Sequence, residues 1–203
     1  MALIKDKVLY SKEELIEEDF DYLKLDRNLG DLILNGFKEV IEENGDYDWL
    51  INGPYEIFGS CSTIGTKVRK ASEVEPLARK IASAFYKQGL RKGDVVHLAI
   101  PNSTENHCIA FGVWLCEAIV SLGDPGLSEN VLKTQLRETK AKMVVCFEGC
   151  RKVIFNALKE MDLLGKIAVV VIPLACPKAN QDLPIVEEGF QFFDGKNMMS
   201  RIT

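Results

Sequence analysis

The side chains able to do chemistry fall into three groups: two histidines, a hydroxyl-rich loop with glycines and a lysine, and six cysteines. His97 lies inside a β-rich run, Val95 to Ile100, and His107 sits in the segment that follows, beside Asn106 and Cys108. Neither has a histidine partner at metal spacing, and no serine occupies a nucleophile-elbow pattern, so both read as packing residues. The loop Gly59-Ser-Cys-Ser-Thr-Ile-Gly65-Thr-Lys67 contains the components of a phosphate cradle. A Walker loop places lysine directly after its second glycine. Here Thr66 intervenes and the glycines stand one residue too far apart, so the segment reads as a polar loop. Cys61, Cys108, Cys116, Cys146, Cys150 and Cys176 contain no Cys-x-x-Cys pair. Cys146 and Cys150, four apart beside a strand end, are the one conceivable metal or redox pair; the expectation is reduced, structural thiols.

Composition narrows the classes further. The chain has 203 residues, 47% hydrophobic and 27% charged, which is ordinary for a soluble globular protein. A net charge of -5 offers no basic footprint for nucleic acid. The apolar run Ile167 to Cys176 is interrupted by Pro173 and falls far short of the roughly 20 residues of a membrane-spanning helix. The opening residues carry too short an apolar run for a secretory signal, so the expectation is a soluble protein of the cytoplasm or peroxisome.

These groups must be held by elements that the pattern locates. Ser11 to Asn28 is acidic and aperiodic, and Asn28 to Glu43 places Leu29, Leu32, Ile33, Phe37, Val40 and Ile41 on one helical face. Residues 1–45 are therefore expected to be an acidic arm with an amphipathic helix, and 46–203 an α/β unit. Tyr47 to Lys70 reads as loop and short strand. Ser72 with Glu75 predicts a capping box for a helix carrying Val74, Leu77, Ile81 and Phe85 inward, with Pro76 in its first turn and Gly89 as its stop.

A regular alternation follows. Strands are predicted at Val95 to Ile100, Ile119 to Leu122, Met143 to Phe147 and Ile167 to Ile172. Between them lie a helix capped by Asn102 and Glu105 and running through Ala118, a helix from Ser128 to Thr139 with Val131, Leu132 and Leu136 inward, and a helix from Arg151 to Leu164. The strands are continuously apolar, as in a parallel sheet covered on both faces, so the fold class is α/β. A dinucleotide fold would run its first strand into Gly-x-Gly-x-x-Gly; here Pro101-Asn-Ser-Thr-Glu-Asn106 has no glycine, and Glu105 would repel a pyrophosphate. After Pro173 the pattern weakens to a short strand over Phe190 to Phe193, and an unpaired Ile167 to Ile172 would be an aggregation-prone edge.

Several of these segments match one family in order and spacing. They are Ala82-Ser-Ala-Phe-Tyr-Lys-Gln-Gly89, Lys92-Gly-Asp-Val-Val96, Ile100-Pro-Asn-Ser103, Glu117-Ala-Ile-Val-Ser-Leu-Gly-Asp-Pro125, and Gln135-Leu-Arg-Glu-Thr-Lys-Ala-Lys-Met-Val-Val145. The chain resembles the N-terminal portion of AMP-forming acyl-CoA synthetases, which belong with the 4-coumarate–CoA ligases and firefly-luciferase-like enzymes. The match covers Val68 to Ile172 and, less fully, Leu29 to Leu50; the first 28 residues do not share it.

The resemblance implies an incomplete part of a large N-terminal domain, a mostly parallel sheet with helices on both faces. The parent enzyme would join a small-molecule carboxylic acid to ATP with Mg²⁺ as an acyl-adenylate, then pass the acyl group to coenzyme A. The resemblance also places the phosphate-binding loop, the adenine and ribose segments and the catalytic lysine beyond Thr203, in the remainder of the N-terminal domain and the C-terminal domain. It therefore assigns no catalytic, cofactor-binding or metal-binding residue to this chain. The expectation is a chain inactive alone, because in-line attack on phosphorus needs donors and cations around the developing charge. The alternatives are a complete, non-catalytic α/β binding module, and part of a luciferase-like monooxygenase.

Overall fold

The computed structural model describes residues 3–5, 8–10, 28–52, 56–57, 60–61, 67–172, 190–193 and 198–201. The acidic stretch at 11–27, most of the Gly59–Lys67 loop and Cys176 lie outside these. In chain order the elements are β1 (Leu3–Lys5), β2 (Val8–Tyr10), α1 (Leu29–Asn44), β3 (Asp48–Asn52), β4 (Glu56–Ile57), β5 (Ser60–Cys61), β6 (Lys67–Lys70) and α2 (Ala71–Lys87). There follow β7 (Val95–Ala99), α3 (Thr104–Leu115), β8 (Ile119–Leu122), α4 (Glu129–Thr139), β9 (Met143–Phe147), a 3₁₀ turn (Glu148–Cys150), α5 (Arg151–Glu160), β10 (Ala168–Ile172), β11 (Phe190–Phe193) and β12 (Met198–Arg201).

The main sheet runs in the order β12-β11-β10-β9-β7-β8. The strands β10, β9, β7 and β8 are mutually parallel, with β7 between β8 and β9. Step direction decides where the helices go. The connection β7–α3–β8 moves one way along the sheet, whereas β8–α4–β9 and β9–α5–β10 move the other way. Right-handed crossovers then put α3 on one face and α4 with α5 on the opposite face. The core divides accordingly. Val96, Leu98, Ile100, Met143, Val145, Val170 and Ile172 pack with α1, α2 and α3. Ala99, Val144, Cys146, Val169 and Val171 pack with Leu132 and Leu136 of α4 and Ile154, Ala157 and Leu158 of α5. Alternate residues feed opposite cores, so these strands read as unbroken apolar runs.

The sheet edges differ from the sequence expectation. Val169 to Val171 pairs in parallel with Phe190 to Phe192, so β10 is interior, and β12 continues antiparallel from β11. The exposed edge is β8, where Ile119 is 53% and Leu122 71% exposed. Ahead of the acidic stretch the arm also contains a pairing that the sequence pattern did not predict, the antiparallel contact of β1 with β2.

Several helix ends shift, each for a local reason. The helix predicted to be capped by Ser72 and Glu75 begins earlier, at Ala71, and Glu73 Oε2 accepts from the Lys70 N–H at 3.1 Å. Ser72 is engaged elsewhere: its N–H and hydroxyl donate to the Asp46 carboxylate at 3.0 and 2.8 Å. Asp46 thus serves the α2 N-terminus from the α1–β3 connection, and Pro76 falls inside the helix rather than in its first turn. Helix α3 is capped by Ser103, not Asn102, with Ser103 Oγ accepting from the Asn106 N–H at 3.1 Å. It stops at Leu115, just before Glu117 turns left-handed at φ 55°. Helix α5 stops at Glu160, ahead of Asp162 at φ 55°. On α1 the fully buried side chain is Leu34, whereas Leu29, Leu32 and Val40 of the expected stripe are exposed; Val131 on α4 is exposed as well.

Candidate functional site

In an open parallel sheet the crevice for a ligand forms beyond the carboxyl ends of the strands, where successive connections diverge. Here that point lies between β7 and β9, because α3 leaves β7 over one face and α5 leaves β9 over the other. Its walls are Ile100 to Ser103 after β7 and Phe147 to Arg151 after β9.

On the β7 side, Ser103 is buried and its hydroxyl already accepts from Asn106. Its carbonyl lies 2.8 Å from His107 Nδ1, and the His107 ring stands edge-on to Trp49 with centroids 5.9 Å apart. His107 therefore braces the α3 N-terminus against β3. Glu105 adds a carboxylate to the first turn, where a phosphate would otherwise meet free N–H groups. On the β9 side, Cys150 Sγ reaches the Ala99 carbonyl at 3.4 Å and the Phe147 carbonyl at 3.3 Å. Cys146 and Cys150 are both buried, and neither is in a disulfide.

A second polar group lies below the end of β8. His97 is fully buried, and its parity along β7 places it on the α4 face. Its Nδ1 lies 3.3 Å from Ser121 Oγ, on the residue paired with it across the sheet. Its Nε2 has no partner, and neither does the buried Oε1 of Gln135 on α4. Gly123 makes this packing feasible: a Cβ there would lie 2.5 Å from His97 Nε2 and 3.4 Å from Gln135 Oε1. Burial alone holds the His97 imidazole below its ordinary pKa of 6.5, which keeps it neutral. His97 is thus a core histidine, as its position in the sequence implied, while Gln135 carried no chemical signal of its own. Both come close to Gly123 only because α4 crosses back over β7.

The motifs shared with the resembled family occupy turns at the two ends of the sheet. Lys92-Gly-Asp94 leads into β7, with Gly93 left-handed at φ 79° and Asp94 Oδ2 accepting from the Arg91 N–H at 2.7 Å. Asp94 also meets Lys142 Nζ at 2.9 Å, at the start of β9. Burial pushes its carboxyl upward; the Lys142 and Arg91 bonds outweigh that push and leave it below its ordinary value. At the carboxyl end, Asp124 Oδ1 accepts from the Gly126 N–H at 2.7 Å and closes the turn after β8. Two open clefts, of 560 Å³ around Trp114 and Ile119 and 800 Å³ around Leu136 and Met161, lie toward the amino ends of the strands, away from the crevice.

This donor set does not fit a triphosphate or its metal ion. Among the described residues no three His, Cys, Asp or Glu side chains are grouped to hold a metal. The β7–α3 loop has no glycine for close backbone approach, and Glu105 opposes an anion there. No described helix is long and apolar enough to cross a membrane.

Fold and crevice together define a doubly wound α/β domain whose sheet carries its motifs in the connecting turns. Residues 71–191 match the family described as AMP-binding enzyme, and the chain belongs to that family. It is 33% identical over 107 residues to 4-coumarate--CoA ligase 1 of Petroselinum crispum, covering 53% of this chain and 18% of that protein. To 4-coumarate--CoA ligase 3 of Arabidopsis thaliana it is 30% identical over 87 residues, 42% of this chain and 16% of the relative. A longer match, 25% identical over 159 residues, joins it to 4-coumarate--CoA ligase 2 of Nicotiana tabacum, covering 73% of this chain and 27% of the relative. The matched part of this chain thus corresponds to between 16% and 27% of the length of these relatives.

Proposed function

We propose that this chain supplies the early sheet of the adenylating domain in an AMP-forming acid–thiol ligase that makes acyl-CoA thioesters. The observation that carries the reading is the coincidence of family motif and turn. Lys92-Gly-Asp94 shapes the entry to β7, and Gly123-Asp-Pro125 shapes the exit from β8, inside a segment matching the AMP-binding family. The relatives named above are 4-coumarate–CoA ligases, which favours thioester formation over oxygenation and a small-molecule carboxylic acid, of which 4-coumarate is one, as substrate. Residues 1–45 act in this reading as an arm and packing helix, and 46–203 as the α/β unit. In this reading ATP, Mg²⁺ and coenzyme A serve the whole enzyme, and the matched part of this chain corresponds to no more than 27% of the length of the relatives named above.

The 203-residue chain has no Ser/Thr/Gly-rich loop ending in Pro-Lys. Without backbone donors and a cation around the phosphates, little stabilises the charge that develops on adenylation. ATP–pyrophosphate exchange by the purified chain, with 4-coumarate or a fatty acid present, is expected to stay at background. Robust exchange from a clean preparation would show that the chain carries its own adenylation site.

A further inference from the structure

The dithiol at the switch point is not used by the proposed ligase reading. Cys146 is the fourth residue of β9, and its strand partner across the sheet is Ala99 of β7. The 3₁₀ turn Glu148–Cys150 folds back directly after β9, bringing Cys150 over the strand end. Cys150 Sγ then lies 3.4 Å from the carbonyl of Ala99, the residue facing Cys146. Both cysteines belong to the same core cluster, with Cys146 0% and Cys150 5% exposed. A hydrogen bond from the Cys146 thiol is the main influence lowering the Cys150 thiol below its ordinary value; burial opposes it and the Phe147 backbone assists. Cys150 also stands at the N-cap of α5, where the helix favours negative charge on sulfur. Above it, Gly149 is exposed.

We propose that Cys146 and Cys150 form an oxidant-sensitive modification site, closed by a small hydroperoxide into an intrachain disulfide. The Cys150 thiolate attacks the peroxide: an S–O bond forms, the O–O bond breaks, and the other oxygen leaves as alcohol or water after taking a proton. Cys146 sulfur then attacks the Cys150 sulfenic acid: the S–S bond forms, the S–O bond breaks, and water leaves with the Cys146 proton. The two thiols lose two electrons in total and the peroxide gains them. Burial selects for a small oxidant over a bulky disulfide such as oxidised glutathione. The product ties the 3₁₀ turn back onto β9, beside the Ala99 carbonyl at the carboxyl end of β7, and so fixes one wall of the crevice.

Both cysteines fall in one tryptic peptide, Met143 to Arg151, between Lys142 and the next cleavage. The test exposes the fully reduced, native 203-residue chain to hydrogen peroxide, blocks remaining thiols with N-ethylmaleimide and maps the peptides. The expected peptide carries no maleimide, has lost two hydrogens, and recovers both thiols with dithiothreitol. In Cys146→Ala, dimedone is expected on Cys150 instead, because the resolving sulfur is gone. A Met143–Arg151 peptide with both thiols alkylated, at a peroxide dose that already oxidises the half-buried Cys116, would overturn the proposal. A disulfide that forms only after the chain is unfolded in urea would overturn it too. If Cys146→Ala fails to fold, the comparison of native and unfolded wild-type chain still decides.

Discussion

At the residue scale, His97 and Gly123 set the tightest constraints. A neutral imidazole buried under α4 resists protonation, whereas the same residue in the unfolded chain titrates near 6.5. Below that pH the unfolded state binds the extra proton, so stability is complete above 6.5 and falls as pH drops toward the depressed folded value. Below about pH 6.5 the loss is expected to approach one proton, up to about 1.4 kcal/mol per pH unit, until the folded imidazole itself titrates. Urea unfolding of the wild type and His97→Gln across this window measures it, and the variant is expected to lose most of the slope. A slope unchanged by the substitution would place the proton elsewhere. Gly123→Ala pushes a methyl to 2.5 Å from a ring that sheet and helix hold in place. Overpacking of this kind costs about 1–3 kcal/mol, readable as a lower urea midpoint at constant slope. The sequence located His97 in its strand but could not bring it and Gln135 to Gly123, since a crossover and not any periodicity does so.

At the scale of elements, the strands were far more legible than the helix ends. Met143 to Phe147 and Ile119 to Leu122 stand where their composition predicts, because burial on one or both faces leaves an apolar run that turns interrupt. Caps depend on distant partners: Ser72 is drawn off by Asp46, and only the folded chain brings that carboxylate to α2. The start of α1 shows the same coupling. Asn28 Oδ1 accepts from the Gly30 and Asp31 N–H groups at 2.7 and 3.3 Å, while its Nδ2 donates to the Leu115 carbonyl at 3.1 Å. One side chain thus caps α1 and ties it to the end of α3. Asn28→Ala is expected to cost about 1–2 kcal/mol in chemical denaturation. Asn28→Asp, which keeps the cap but loses the donor to Leu115, should fall between the wild type and Asn28→Ala. Equal stability of all three would mean that neither bond matters. Gly30→Ala tests the packing itself, since a Cβ would stand 2.7 Å from the Leu115 backbone nitrogen; a loss at least as large as that of Asn28→Ala is expected.

For the whole molecule, alternation of apolar strands and helices predicted a parallel sheet covered on both faces, but neither the strand order nor the sheet's edges. An apolar β10 looked like a terminus because the chain after Pro173 has little period; the pairing of Phe190 to Phe192 makes it an interior strand. The candidate crevice was legible in the glycine-free loop, in Glu105 and in the four-residue spacing of Cys146 and Cys150, but not in the 3₁₀ turn that sets Cys150 against the Ala99 carbonyl. The account rests on this sheet being an interchangeable part of an adenylating domain. The direct measurement replaces the matching segment of 4-coumarate--CoA ligase 1 of Petroselinum crispum with residues 71–172 and assays ATP–pyrophosphate exchange with 4-coumarate. Retained exchange in a soluble, cooperatively melting chimera is the expected result; a chimera that folds as well as the parent ligase yet shows no exchange would contradict it.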